Sequence, residues 1–216
     1  MFRTLRYSVC LSALLSLGCG IAADAADAPV NPLWHEQKVK NYLPDMTWPE
    51  VQDLMTRTDM VIIPVASLEQ HGPQGPIGTD YLNAVEKAKL IAQRTDVLVA
   101  PIMLPGNSPY HMGFPGTIAI SEETVEKVYF EAIQSLIKTG FKRFLIMNGH
   151  GGNAATSAFV ADRVNQETSG IAVTLDVGAA PYLKHKPTAV QKIFDRHAGV
   201  GEIGRASCRE RVSCCV

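Results

Sequence analysis

Four short apolar runs, 61–65, 97–100, 144–147 and 171–175, recur along the chain with helically periodic stretches between them. Runs this short, rich in β-branched residues and nearly free of polar ones, suit strands buried on both faces. The stretch 81–94 follows an aspartate. Residues 122–139 place Val125, Val128, Tyr129, Ala132, Ile133, Leu136 and Ile137 at helical spacing and stop at Gly140, and 153–168 is closed by Gly170. A shorter helix is expected from Thr47-Trp48-Pro49, a threonine N-cap followed by proline in the first turn. Such alternation with short connections admits few architectures. It predicts an α/β fold: a single three-layer domain with a largely parallel sheet and helices on both faces. Ligands of such sheets bind beyond the carboxyl ends of the strands, so chemistry is expected just after Val65, Ala100 and Met147.

Composition narrows the chemistry. With 216 residues, 46% hydrophobic and 19% charged, the chain suits one compact domain and neither a disordered tail nor a polytopic membrane protein. Its net charge of -1 supplies no basic field for nucleic acid or an anionic membrane, so no nucleic-acid partner is expected. The five cysteines, Cys10, Cys19, Cys208, Cys214 and Cys215, leave the body between them free of thiols. A disulfide framework, a zinc ribbon and a cysteine nucleophile are thereby excluded from the body, and any metal there must rest on nitrogen and oxygen.

The ends read differently from the middle. Residues 1–25 have the form of a secretory signal: Arg3 and Arg6, an apolar core from Val9 to Leu17, and the small-x-small pattern Ala23-Asp24-Ala25. The alternatives are a membrane-spanning helix, for which the stretch is short and polar, and a lipoprotein with Cys19 as the modified residue. The expectation is a periplasmic or secreted protein with no membrane association after cleavage, a linker over 26–46 and a domain over 47–202. Residues 202–212 lack helical or strand periodicity, and back-translation makes them resemble read-through of a sequencing-library adapter; residues 203–216 are therefore expected to be foreign to the natural gene, although 213–216 have no match in the adapter.

Four clusters carry unusual residues. After the first strand, Glu69 and His71 stand two apart in an extended segment and so point the same way, and Asp80 can return to them across a Gly/Pro-rich loop. Oxygen and nitrogen donors of this kind suit zinc or manganese. Read singly, Asp80 could instead be an N-cap for a helix from Tyr81, and Glu69 and His71 ordinary loop residues. After the third strand, Asn148-Gly149-His150-Gly151-Gly152-Asn153 runs straight into a helix. Its spacing matches neither a dinucleotide fingerprint nor a P-loop, which favours His150 facing a metal over glycines cradling an anion. The loop Tyr110-His111-Met112-Gly113-Phe114-Pro115-Gly116-Thr117 either lines the pocket or turns the chain. His197 and Glu202 stand five residues apart, whereas His35 and His185 have no such company and are expected at the surface.

Together these residues resemble the creatininase (creatinine amidohydrolase) family, whose pattern is matched by Leu68-Glu69-Gln70-His71-Gly72-Pro73 with Gly78-Thr79-Asp80, by Phe114-Pro115-Gly116-Thr117, by Asn148-Gly149-His150, and by His197-x-Gly199-x-x-Glu202. The resemblance implies a creatininase-like fold and an exported two-metal amidohydrolase of zinc and/or manganese acting on a small-molecule amide. Glu69, His71, Asp80 and His150 would be ligands, with Asp80 between the two ions, and His197 the catalytic histidine. Some members carry a further carboxylate two residues after the motif's histidine; here that position is Gly152, and the remaining ligand is expected to be Glu202. His111, Gly151 and Gly152 would border the substrate. The resemblance also implies a homo-oligomer. Creatininase depends on tryptophans around its substrate, but Trp34 and Trp48 both precede the motifs here, so a different, cyclic or non-peptide amide is expected. The rival reading is a non-catalytic exported module that binds metal or small solutes.

The adapter reading is open to direct check. Amplification of the gene from genomic DNA should give a sequence that diverges from this one after Glu202; recovery of the same codons would show residues 203–216 to be native.

Overall fold

The computed structural model describes residues 38–103 and 105–177. They contain α1 (Trp48–Met55), β1 (Met60–Val65), α2 (Thr79–Arg94), β2 (Leu98–Val99), α3 (Glu122–Thr139), β3 (Arg143–Asn148), α4 (Ala154–Glu167) and β4 (Ile171–Asp176). All four strands are parallel, in the order β2-β1-β3-β4. The chain moves outward from β1 to β2, then crosses back through α3 to β3 on the other side of β1. The strand order therefore reverses between β1 and β3, where open α/β sheets leave a crevice.

Local chemistry accounts for the elements. At the start of α1 the Glu50 carboxylate accepts from both the backbone N–H and the hydroxyl of Thr47, at 2.7 and 2.8 Å. Ser121 caps α3 by accepting from the Thr124 N–H, and Gly140 ends it in the left-handed region at φ 113°. The strands divide their side chains by period two. Val61, Ile63, Val65, Phe144, Ile146 and Ala172 pack with residues of α3 and α4, while Ile62 and Met147 pack with Ala88 and Ala92 of α2. Helices thus cover both faces, giving the expected three layers.

The differences from the sequence reading have physical causes. Helix α2 begins at Thr79 with Gly78 as its N-cap, so Asp80 lies inside the first turn and its side chain makes no cap bond. The N-cap reading of Asp80 is thereby overturned. Strand β2 is two residues long, and its outer side is met by the segment before α1. The Val99 N–H donates to Asn41 O at 2.8 Å and Tyr42 is buried, so ordered packing begins before the linker boundary at 46. Strand β4 is not buried on both faces. Ala172 faces α4, but Ile171 and Val173 are 64% and 55% exposed; on their side of the sheet α2 packs mainly over β1, β2 and β3, and of β4 Leu175 joins the cluster that contains Ala88 and Ala92.

This asymmetry yields a contrast in stability. Phe144→Ala, emptying a site 1% exposed, should cost about 3–5 kcal/mol in urea unfolding. Val173→Thr should stay within about 0.5 kcal/mol.

Candidate metal centre

β1, β2 and β3 deliver three loops to one edge of the sheet, and Asn153 ties them together. Its side-chain N–H donates to Ala66 O at 3.0 Å, and its Oδ1 accepts from the Asn107 N–H at 2.9 Å. Two glycines permit the close approach. A Cβ at Gly149 would lie 3.0 Å from Ala84 Cβ and 3.1 Å from Asp80 O, so this glycine lets the exit of β3 rest on the first turns of α2. A Cβ at Gly152 would fall 2.3 Å from Tyr110 Oη, 2.4 Å from His150 Nε2 and 2.5 Å from Asn107 O. Gly151, by contrast, meets nothing within 4 Å and borders open space.

The four ligands expected in this region come together. Glu69, His71, Asp80 and His150 are all buried, at 0–5% exposure. Asp80 is the hub: Oδ1 is 3.1 Å from His71 Nε2, and Oδ2 is 3.0 Å from His150 Nδ1 and accepts from Ser67 Oγ at 2.8 Å. Glu69 Oε1 lies 3.2 Å from His150 Nδ1, and Oε2 accepts from Ser108 Oγ at 2.5 Å. Donor atoms of Glu69, Asp80 and His150 all lie within 4.8 Å of one another, a spacing that one cation could span. The far side of each imidazole is also held. His71 Nδ1 is 3.0 Å from Glu69 O, and His150 Nε2 is 2.9 Å from Asn107 O and 3.2 Å from Ser108 Oγ. A carbonyl can only accept, so these contacts place a proton on the outer nitrogen and leave the inner nitrogen of each ring facing Asp80, as an N–H when the ring is charged and as a ligand lone pair when it is neutral.

His111 sits at the rim, its Nε2 3.8 Å from Glu69 Oε1. His197 and Glu202, like His35 and His185, lie outside the described residues. Ser67, Asn107 and Ser108 contact Asp80, His150 and Glu69 directly, and the motif reading did not single them out. The only sequence signal for Ser108 is a serine before Pro109, which reads equally well as a turn.

The electrostatics favour a cation. Burial alone would raise the Asp80 carboxyl, but hydrogen bonds from His150 and His71 outweigh it and hold Asp80 well below the ordinary carboxylate range. Glu69 shifts the same way: burial opposes its charge, and His150 and Ser108 overcome that effect. Burial likewise opposes a charge on His150, yet Asp80 and Glu69 push it up to about 10. Without metal, a proton on His150 therefore balances the carboxylates. A divalent ion bound through Nδ1 must replace it, and the oxygen and nitrogen donor set fits zinc or manganese.

Sign and window follow for the metal-free protein. The raised His150 contributes stability in full below its ordinary 6.5 and loses it as pH rises through about 10. Asp80 and Glu69 contribute above their ordinary 3.8 and 4.5 and lose it as pH falls. Zinc affinity should rise roughly tenfold per pH unit from neutrality toward that upper value, with one proton released per ion at this position. Calorimetry in buffers of different ionisation enthalpy measures the proton, and a pH-independent affinity would contradict the ion-for-proton exchange.

Known proteins share this architecture. A mutant creatininase of Zn-Zn type superposes with a TM-score of 0.66 at 25% identity, covering 74% of this chain and 69% of that one. A manganese creatininase superposes with a TM-score of 0.64 at 24% identity over the same shares. The 3-dehydro-scyllo-inosose hydrolase of Thermotoga maritima is 34% identical over 111 residues, 51% of this chain and 36% of that protein. The mycofactocin precursor peptide peptidase of Mycolicibacterium smegmatis is 38% identical over 117 residues, 51% of this chain and 47% of that protein. The matches thus span less than half the length of these two relatives. The family model for creatininase, creatinine amidohydrolase, matches residues 44–207, the greater part of the sequence, and the chain belongs to the creatininase family.

Proposed function

We propose that the chain is a metal-dependent hydrolase of an amide C–N bond in a small, cyclic or otherwise non-peptide substrate. The observation that carries this reading is the buried hub at Asp80, whose two oxygens face two imidazoles held on their outer sides by carbonyls. Such a carboxylate can serve two ions at once. We assign one position to Glu69, Asp80 and His150 and the other to His71 and Asp80, with Glu202 as a further ligand. Zinc or manganese ions held there would lower the pKa of water toward about 7 and polarise the amide carbonyl.

The chain's own residues do the rest. Asn107 and Ser108 fix the His150 ring, the Glu69 carbonyl fixes His71, and Ser67 orients Asp80, so the donors are arranged before any ligand arrives. Burial keeps bulk water away from the carboxylates and strengthens each charge interaction. His197 is assigned the proton transfer to the departing nitrogen, a role for which imidazole is the commonest side chain. The relatives' names support hydrolysis more than any one substrate, since they include a dehydro-inosose hydrolase and a peptide peptidase. The signal-like sequence of residues 1–25 supports an assignment to the periplasm or the cell exterior, and the family resemblance supports a homo-oligomer.

The test is metal analysis joined to a substrate panel. The protein should carry about two zinc or manganese ions per chain and turn over one or more members of a set of cyclic ureides, lactams and formamides. The double variant His71→Ala, Asp80→Ala should lose both ions and the activity. A folded, metal-free and inactive wild type would sink the proposal, and metal without turnover of any amide would favour the binding module.

A further inference from the structure

The loop after β2 carries no charged side chain: residues 105–121 contain neither Asp, Glu, Lys nor Arg. On it Tyr110, Met112, Phe114 and Ile118 are 50–61% exposed. Large apolar side chains gathered on one uncharged loop mark a surface that something covers, since the centres of interfaces lack charge and favour tyrosine, phenylalanine and methionine. A groove of about 480 Å³ opens on this loop, lined by Pro109, Met112 and Ile120 together with Glu122 and Glu123 from the first turn of α3. Asn107 lines it too, and the Asn107 carbonyl is the one that holds the outer nitrogen of His150 at 2.9 Å. The groove therefore backs onto the metal cluster.

The chain's own sequence supplies a match. The Val177 N–H donates to Asn148 O at 2.9 Å, so the described chain leaves β4 beside the turn that carries His150. Two hydrogen-bonded steps lead from there to the groove, from Asn148 Oδ1 to the His150 N–H at 3.1 Å and from His150 Nε2 to Asn107 O. Residues 178–194 contain Lys184, Lys186 and Lys192 and no acid, and Ile193 and Phe194 come just before His197. Ten extended residues reach about 33 Å, so this stretch can pass along the loop and return. Tethering holds it near the groove at an effective concentration of roughly mM order, which a free ligand would have to exceed.

We infer that residues 183–194 dock on the loop after β2 of their own chain, with Ile193 and Phe194 against Met112 and Ile120 in the groove and the lysines toward Glu122 and Glu123. This rests on the hydrolase reading, which needs His197 at the cluster, and adds to it the surface that delivers that imidazole. The apolar contact supplies the affinity. Exposed ion pairs add little energy, but they set the direction in which the segment lies. His197, three residues beyond Phe194, is thereby brought to the side of Asn107 on which His150 stands.

Carbodiimide coupling tests the seam, because it joins an amine to a carboxylate without a spacer. Applied to a mixture of light and heavy-nitrogen full-length protein, it should link Lys184, Lys186 or Lys192 to Glu122 or Glu123 within single chains. Met112→Asp, at a side chain 56% exposed, should leave the far-UV circular dichroism unchanged and raise tryptic cleavage after Lys192 by about tenfold. Val173→Asp, on the exposed part of β4, should leave that cleavage rate as it is. Faster cleavage in Val173→Asp but not in Met112→Asp would seat the segment on β4 and overturn the inference. Links joining light to heavy chains would put a second copy in the groove and overturn it as well, as would an absence of links with equal cleavage in all three proteins. Links within one chain in a protein that binds no zinc or manganese would uphold the seam and sink the hydrolase reading.

Discussion

Six consecutive pairs join β1 to β3 in parallel, from Met60 beside Arg143 to Val65 beside Asn148, and the register continues across to Asp176 on β4. Because the strands stop at one level, the loops that follow them start from a common edge. A shift of one residue would turn inward-facing side chains outward, so the buried alternation of Val61, Ile63 and Val65 against Phe144 and Ile146 locks the level. The hydrophobic core thereby sets where Glu69 and His150 can meet, although the two are 81 positions apart in the sequence.

Once brought together, the polar groups impose their own requirement. Two carboxylates removed from water must be balanced by positive charge and hydrogen bonds. The 66–80, 105–121 and 148–153 segments contain no lysine or arginine. Among the described residues, balance within this cluster falls to imidazoles, as protons or through ions they could hold. Asn148 shows how far the support extends: it accepts from the His150 N–H and donates to both His150 O and Asp176 Oδ1, so an acid on β4 steadies the peptide of a residue beyond β3.

The sheet was legible because its strands are apolar runs and its helices carry caps that act locally, as Ser121 and Gly140 do. Glu69, His71, Asp80 and His150 were legible through motif and spacing. Ser108 and Asn107 were not, since what they contribute is a hydroxyl and a backbone carbonyl whose positions depend on Asn153, 46 residues from Asn107. The start of α2 was misplaced by two residues for a related reason. Asp80 has the composition of a cap, but its side chain is drawn away by Ser67, His71 and His150, three partners that no local rule anticipates. The open face of β4 was missed because a run of β-branched residues does not reveal how far a covering helix extends.

Gly152 carries a consequence for how such centres diverge. The space a side chain would need there is already filled by the Tyr110 hydroxyl, the Asn107 carbonyl and the outer nitrogen of His150. A carboxylate at this position and the present enclosure of His150 are thus mutually exclusive packings of one volume. Passage between them requires the loop after β2 to move in concert with the turn after β3, so a single substitution is not a viable intermediate. A glycine and a carboxylate at this position are thus separated by a rearrangement of two loops even though they differ, on paper, by one residue.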